Sequence, residues 1–271
     1  MIKIVTIDLD GTLFNSKKEI TFENKIAIAK CHDLGVKIVI ATGRPISGVM
    51  PVLEELGLTS TSDYAIIYNG SKIINVGTGE TISVSSIDGA IIKKLYAESK
   101  RLGVFIHAYK ENGDLITPLM NPYTEVEVTI NRLDYNIVDF NTIKDDDKFI
   151  KCLFTGSNED ITRIMPLVNK EFYTNYSMVR SSKIFLEFLK KGIEKGSALK
   201  SLASYLNIKM EDTMAIGDAG NDIPMIAAAG IGVAMKNSFP EVFPHANYIT
   251  KNDNNNSGVA EALNKFIIYN R

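Results

Sequence analysis

Residues 4–14 read IVTIDLDGTLF. A run of mostly β-branched apolar residues ends in two aspartates, Asp8 and Asp10, followed by Gly11 and Thr12. A buried strand that ends in two like charges needs a reason. One carboxylate attacking an anionic centre while the second shuttles a proton would supply it, provided a cation lies between them. The rest of the chain must then furnish the other ligands of that cation.

The elements that have to position such a pair follow from the alternation of strand-like and helix-like segments. Residues 3–7 read as a strand, 22–34 as a helix stopped by Gly35, and VKIVIAT from Val36 as a second strand. This rhythm predicts crossover units on a parallel sheet. Pro45 suits a first helical position in a helix running towards Gly57, and Pro51 inside it is expected to kink or split it. YAIIYNG is a third strand ending at Gly70, and KIINVGTGETISV is a hairpin turning at Gly77-Thr78-Gly79. No helix follows that Gly-x-Gly, so it reads as a turn and not as a nucleotide loop.

From about Ser83 the rhythm changes. A helix over 88–102, a strand over 104–109, a less regular stretch, a strand over 151–155, a helix over 160–172 and strands near 176–179 and 184–188 form a self-contained α+β block. The alternation then returns, with helices over 195–206, 221–229 and 259–268 and strands over 213–216 and 231–234. The chain is therefore expected to be an α/β protein. It has a Rossmann-like parallel-sheet core (1–82 and 190–271) interrupted by an inserted α+β cap (83–189).

Open parallel sheets bind ligands outside the carboxyl ends of their strands. There stand Asp8 and Asp10 after the first strand, Thr42, Gly43 and Arg44 after the second, and Asn69 and Gly70 after the third. GDAGND, with Asp218, Asn221 and Asp222, follows TMAIG. Lys195 opens a helix in EKGSAL, at an entrance whose N–H groups also favour an anion. Each has a plainer reading alone: a turn with local caps, a strand end, a helix cap, a solvated lysine. Four strand ends of one sheet carrying groups suited to one phosphate and one Mg²⁺ outweigh those readings together.

In these residues the chain resembles the haloacid dehalogenase-like phosphatases, and among them the Cof-type hydrolases with a large α/β cap. Four motifs occur in the family's order: DLDGT (8–12), Thr42 in ATGR, Lys195 in KGSAL, and GDAGND (217–222), with a long insertion between the second and third. GVAMKNS and GVAEAL also resemble this subgroup, although Lys236 stands where a glycine is commoner. The resemblance implies an Mg²⁺-dependent phosphatase in which Asp8 attacks phosphorus and forms an aspartyl-phosphate. Asp10 would protonate the leaving group and later activate water. An Asp8 oxygen, the Asp10 carbonyl and Asp218 would hold the metal. Thr42, the Gly43 amide, Lys195 and Asn221 would bind the phosphoryl group, with Asn69 and Gly70 beside them, and Asp222 would orient Lys195 or a metal-bound water. Arg44 is open between a substrate contact and a structural ion pair.

Composition bounds the partners. With 30 basic and 32 acidic residues among 271, and a net charge of −2 with no basic block, nothing offers a nucleic-acid surface. No run approaches the roughly 18 apolar residues of a membrane span, and the chain reads as cytoplasmic. Cys31 and Cys152 stand far apart, as core thiols would. His107 and Tyr109 alternate to one face of a cap strand and read as sheet-face residues satisfied by their neighbours. Phosphorylated sugars and sugar alcohols, pyridoxal phosphate and flavin mononucleotide all fit as the small phosphate monoester. A phosphomutase, or a phospho-acceptor switch without turnover, are the competing readings. No sequence feature sets an oligomeric state.

Overall fold

A computed structural model describes residues 1–270. In chain order its first elements are β1 (Ile4–Ile7), α1 (Phe22–Asp33), β2 (Lys37–Ala41), α2 (Ile46–Glu55), β3 (Tyr64–Ile67), β4 (Lys72–Asn75) and β5 (Thr81–Val84). There follow β6 (Ile87–Asp88), α3 (Gly89–Leu102), β7 (Phe105–Lys110), β8 (Leu115–Thr117), α4 (Pro122–Asn131), β9 (Tyr135–Ile137) and β10 (Lys148–Thr155). Next come α5 (Asn158–Ile164), α6 (Lys170–Asn175), β11 (Tyr176–Ser182), β12 (Phe185–Lys190) and α7 (Lys195–Tyr205). The last are β13 (Thr213–Gly217), α8 (Ile223–Ala228), β14 (Ile231–Ala234), β15 (Tyr248–Ile249) and α9 (Gly258–Leu263).

The chain forms two compact units, the first made of residues 1–43, 50–83 and 194–271 and the second of 44–49 and 84–193. The first unit is built on an eight-stranded sheet in the order β15-β14-β13-β1-β2-β3-β4-β5. Its first six strands in that order are mutually parallel, and β4 runs antiparallel to β3. Every residue of β1 is buried, as a central strand covered on both faces requires. On one face Ile4, Val39, Ile66 and Ala215 pack against Leu199 and Leu202 of α7 and Met225 of α8. Side chains of this size contribute roughly 1.5–3 kcal/mol each when fully buried, so the sheet is a stiff platform for whatever its strand ends carry.

The second unit has a sheet in the order β11-β12-β10-β7-β8-β9, with β6 paired to β10. One face carries its core, where Ile106, Cys152, Phe154, Leu186 and Phe188 pack against Ile92 and Leu95 of α3 and Ile161 of α5. Cys31 and Cys152 are both buried and form no disulfide.

Three segments depart from the sequence-based expectation. The helix expected over 160–172 is α5, a 3-10 turn at Met165–Leu167 and α6, because Pro166 has no N–H to continue the ladder. The less regular stretch holds β8, α4 and β9. The start of α4 is set by Asn121, whose side chain accepts from the Tyr123 and Thr124 amides, and by Pro122 in the first turn. Pro51 does not split α2, which runs from Ile46 to Glu55. The carbonyl that loses its partner there, that of Ser47, lies in the first turn, so little of the ladder is interrupted.

Candidate active site

The carboxyl ends of β1, β2, β3 and β13 converge in the first unit. Asp8 follows β1 directly, and its amide donates to the Ile216 carbonyl of β13 at 3.0 Å, which ties the two strand ends together. The chain then turns sharply through Gly11, at φ +90°. A Cβ at Gly11 would stand 2.4 Å from Asp218 Oδ2, so both the conformation and the space demand glycine. Thr12 Oγ1 donates to Asp218 Oδ1 at 2.7 Å, completing the clasp between the first and last motifs.

Lys195 opens α7, and its side chain is wholly enclosed. Its ammonium donates to Asp8 Oδ1 at 2.5 Å and to Asp222 Oδ1 at 2.6 Å. Asp222 is held in turn: its Oδ2 accepts from the Asp218 and Ala219 amides, each at 3.0 Å. Both oxygens of Asp222 are thus engaged, and it orients Lys195 while bracing the loop that carries Asp218. A Cβ at Gly217 would collide with Asp222 at 2.4 Å, which explains the glycine at the end of β13.

Burial alone would push the Lys195 ammonium down, but the carboxylates of Asp222 and Asp8 reverse this and hold it above its ordinary value. Burial, with the charge of Asp222, pushes Asp8 well above the usual carboxylate range despite Lys195. Asp218 is raised to about 6, chiefly by burial, with repulsion from Asp222 adding to it. One ammonium does not balance three buried carboxylates. Asp8, Asp218 and Asp222 offer oxygens within 4.8 Å of one another, and such a set could hold a hard cation.

Asn69 lies between the second and fourth motifs. Tyr68, Asn69 and Gly70 take φ of 53°, 56° and 99° in succession. A Cβ at Gly70 would lie 2.4 Å from the Glu194 carbonyl, so the left-handed turn allows β3 to end directly against the start of α7. The Asn69 amide donates to the Thr42 carbonyl at 2.9 Å, and its Oδ1 accepts from Asn221 Nδ2 at 3.0 Å. The Asn69 side chain stands where a Cβ on Gly43 would meet it at 3.0 Å. Thr42, Gly43, Asn69, Gly70 and Asn221 are therefore one connected rim.

Asp10 is exposed, unlike Asp8, and pairs with Lys18 Nζ at 2.5 Å. Lys18, at φ 63°, sits in a tight turn in which Asn15 Oδ1 accepts from the Lys17 and Glu19 amides. No spacing in the sequence announces this contact. Asn237 was also missed: it donates to the Gly11 carbonyl at 2.8 Å, and its position in GVAMKNS was the available signal. Arg44 belongs to the second unit, where its charge acts on Glu127.

A parallel sheet with an aspartate after its central strand and a buried lysine against it is an arrangement suited to phosphoryl transfer. The model of the haloacid dehalogenase-like hydrolases matches residues 5–263, and the chain belongs to that family, in its Cof-type subgroup. It is a phosphoric monoester hydrolase. YxeH of Bacillus subtilis (strain 168) is 37% identical over 99% of this chain and 99% of its own. The 5-amino-6-(5-phospho-D-ribitylamino)uracil phosphatase YcsE of the same strain is 32% identical over 98% of this chain and 96% of its own. A haloacid dehalogenase-like hydrolase of known crystal structure from Bacteroides thetaiotaomicron superimposes with a TM-score of 0.86 at 31% identity, covering 98% of this chain and all of that one. Among the described residues no helix is long and apolar enough to cross a membrane. Membership of a hydrolase family sets aside the reading as a switch without turnover.

Proposed function

We propose that the protein hydrolyses small phosphate monoesters through a phosphorylated Asp8, with Mg²⁺ bound at Asp8, the Asp10 carbonyl and Asp218. The observation that carries this reading is the enclosed Lys195 ammonium between Asp8 and Asp222. It opposes the burial and the neighbouring carboxylate charge that raise Asp8, and together with a bound cation it would favour the ionised, nucleophilic form.

Asp8 attacks phosphorus in line and the ester oxygen departs. Asp10, at the exposed mouth, gives that oxygen its proton and then removes one from the water that cleaves the acyl phosphate. Thr42, the Gly43 amide and Asn221 bind the phosphoryl oxygens, and Lys195 offsets the charge gathered on Asp8 and the phosphate. The donor set suits Mg²⁺, a hard ion preferring carboxylate and carbonyl oxygens, which would neutralise phosphoryl charge and align the ester. The second unit acts as the cap that selects the organic part of the substrate, as its insertion between the motifs suggests. The 5-amino-6-(5-phospho-D-ribitylamino)uracil for which YcsE is named as a phosphatase is consistent with a small metabolite as substrate.

Acid quench of the protein during turnover, followed by peptide mass spectrometry, should find phosphate on the peptide containing Asp8, with stoichiometric release of free phosphate. Label on another residue would reassign the nucleophile, and product phosphate appearing on an added sugar would convert the reading to a phosphotransferase.

A further inference from the structure

The segment that follows the two aspartates folds back on itself. Isolated bridges pair Asp10 with Phe14 and Phe14 with Ile20. Asn15 closes the tip: its carbonyl accepts from the Lys18 amide at 3.0 Å, and its side-chain oxygen accepts from the Lys17 and Glu19 amides at 2.9 and 3.0 Å. Lys18 takes φ 63° there, and its ammonium returns to Asp10 Oδ1 at 2.5 Å. The two side chains are 61% and 41% exposed. An exposed ion pair adds little to stability, and a left-handed conformation in a residue with a Cβ costs at least as much. Stability alone does not account for this turn.

Three asparagines from the far end of the chain grip the same segment. Asn237 donates to the Gly11 carbonyl at 2.8 Å and accepts from the Asn254 amide at 3.0 Å. Asn254, which is buried, donates to the Phe14 carbonyl at 2.8 Å. Asn255 Oδ1 accepts from the amide and the hydroxyl of Ser16, at 2.9 and 2.8 Å. Asp253 fixes the loop that carries them, its Oδ1 accepting from the Asn255 and Asn256 amides, each at 3.0 Å. NDNNNS (252–257), by composition no more than a polar loop, thus moulds the segment 11–16. It holds that segment at Phe14 and Ser16, between Asp10 at one end and Lys18 at the other.

A carboxyl group that protonates a leaving oxygen must sit within hydrogen-bond reach of it. An exposed aspartate samples several rotamers, and misplacing a catalytic group by about 1 Å can cost about 10²-fold. Lys18 restricts that freedom by fixing Oδ1. The contact is compatible with acid catalysis, because Asp10 gains negative charge as its proton leaves and the ammonium beside it meets that charge. We propose that Lys18 is a positioning residue for Asp10, and that Asn254 and Asn255 act through Lys18 by holding the turn that presents it. The inference rests on the phosphatase reading with Asp10 as its acid, and it names the residues that aim that acid.

The test measures kcat/KM of the full-length protein with Mg²⁺ for glucose 6-phosphate, glycerol 3-phosphate and n-hexyl phosphate, taking the fastest of the three, and for p-nitrophenyl phosphate. The alkoxide leaving groups need a proton and the nitrophenolate does not. Lys18→Met and Asn255→Ala should each lower the alkyl value about tenfold, and by at least about five times more than the nitrophenyl value. Lys18→Arg and Asn255→Asp, which keep the cation and the accepting oxygen, should restore most of the alkyl rate. Asn255 is exposed, so its replacement leaves the core untouched. Calorimetric affinity of the alkyl ester should agree within about twofold between Asp8→Asn and Asp8→Asn/Lys18→Met, since the lysine aims the acid and does not hold the ester. Equal losses for alkyl and aryl esters, no loss, or weaker binding in the double variant would overturn the inference. Asp10→Ala separates it from the reading on which it rests. A leaving-group-dependent loss in Asp10→Ala that is absent from the Lys18 and Asn255 variants would sink this inference alone. Equal losses for both ester types in Asp10→Ala, or no free phosphate from any ester, would sink the phosphatase reading with its acid and this inference with it.

Discussion

Lys195 Nζ lies 2.5 Å from Asp8 Oδ1, and the two residues, 187 positions apart in sequence, meet only because β1 ends beside the first turn of α7. The lysine is enclosed, so its charge is not screened by solvent. Lys195→Met should therefore lower kcat/KM by about 10³ or more, since it removes the cation offsetting charge on Asp8 and the phosphate. It also leaves Asp8 and Asp222 without their counterion, and removing one member of a buried pair costs about 3–5 kcal/mol. Thermal melts and steady-state kinetics read the two effects separately. A loss under tenfold would place the phosphoryl group away from Lys195.

Asp10 should show its acid role in the dependence on leaving group. A sugar alkoxide is strongly basic and needs a proton, whereas p-nitrophenolate departs without one. Asp10→Ala should lower kcat/KM for alkyl phosphates by about 10²–10⁴, the usual worth of general acid catalysis, and by much less for p-nitrophenyl phosphate. Because kcat/KM reports steps only up to the phosphoenzyme, the base role should emerge separately, as a fall in kcat with accumulated phosphoenzyme. Equal losses in kcat/KM for both esters would transfer proton donation to another residue.

Exhaustive chelation should abolish turnover and Mg²⁺ should restore it, with Ca²⁺ binding but supporting turnover poorly because its larger, looser shell misplaces the in-line geometry. The affinity should depend on pH. Asp218, raised from 3.8 to about 6, binds more protons in the metal-free fold than in the unfolded chain across that interval. Its contribution to metal-free stability therefore falls as pH rises through the window, and a bound cation must displace its proton below about 6. Calorimetric Mg²⁺ affinity should drop about tenfold from pH 7.5 to pH 5 by this group alone, with proton uptake by the buffer. A pH-independent affinity would remove Asp218 from the metal site.

Gly11→Ala should be damaging out of proportion to one methyl group. It imposes φ +90° on an L-residue and drives a Cβ to 2.4 Å from Asp218 Oδ2. We expect a loss of about 1–3 kcal/mol from the strained conformation, and a weakened metal site because the displaced atom is a carboxylate oxygen. Unchanged melting temperature and Mg²⁺ affinity would show that the turn relaxes freely.

Local signals carried much of this protein in its sequence. Apolar strands ending in Asp8, Thr42, Asn69 and Asp218 marked the sheet and the edge at which a ligand is expected, because a buried parallel strand is continuous and apolar and its first polar residues fall where it leaves the core. Chain order and motif spacing gave the expectation of an inserted cap over 83–189, whereas the second compact unit is Val84–Ile193 together with Arg44–Val49, a segment that precedes the insertion in sequence. Tertiary structure decided what spacing cannot encode. Asp222 spends both oxygens on Lys195 and on backbone amides, so a residue typed as an acid serves as a brace. Lys18 reaches Asp10 through a left-handed turn folded around Asn15, a contact set by side-chain direction and not by composition. His107 and Tyr109 show the division most sharply. Alternation placed both on one face of a strand, but only the packing of α4 gave Tyr109 a partner in Glu127 and left His107 Nε2 without one. A side chain's periodicity is local, whereas its hydrogen-bond partner is whatever distant segment the core brings against it.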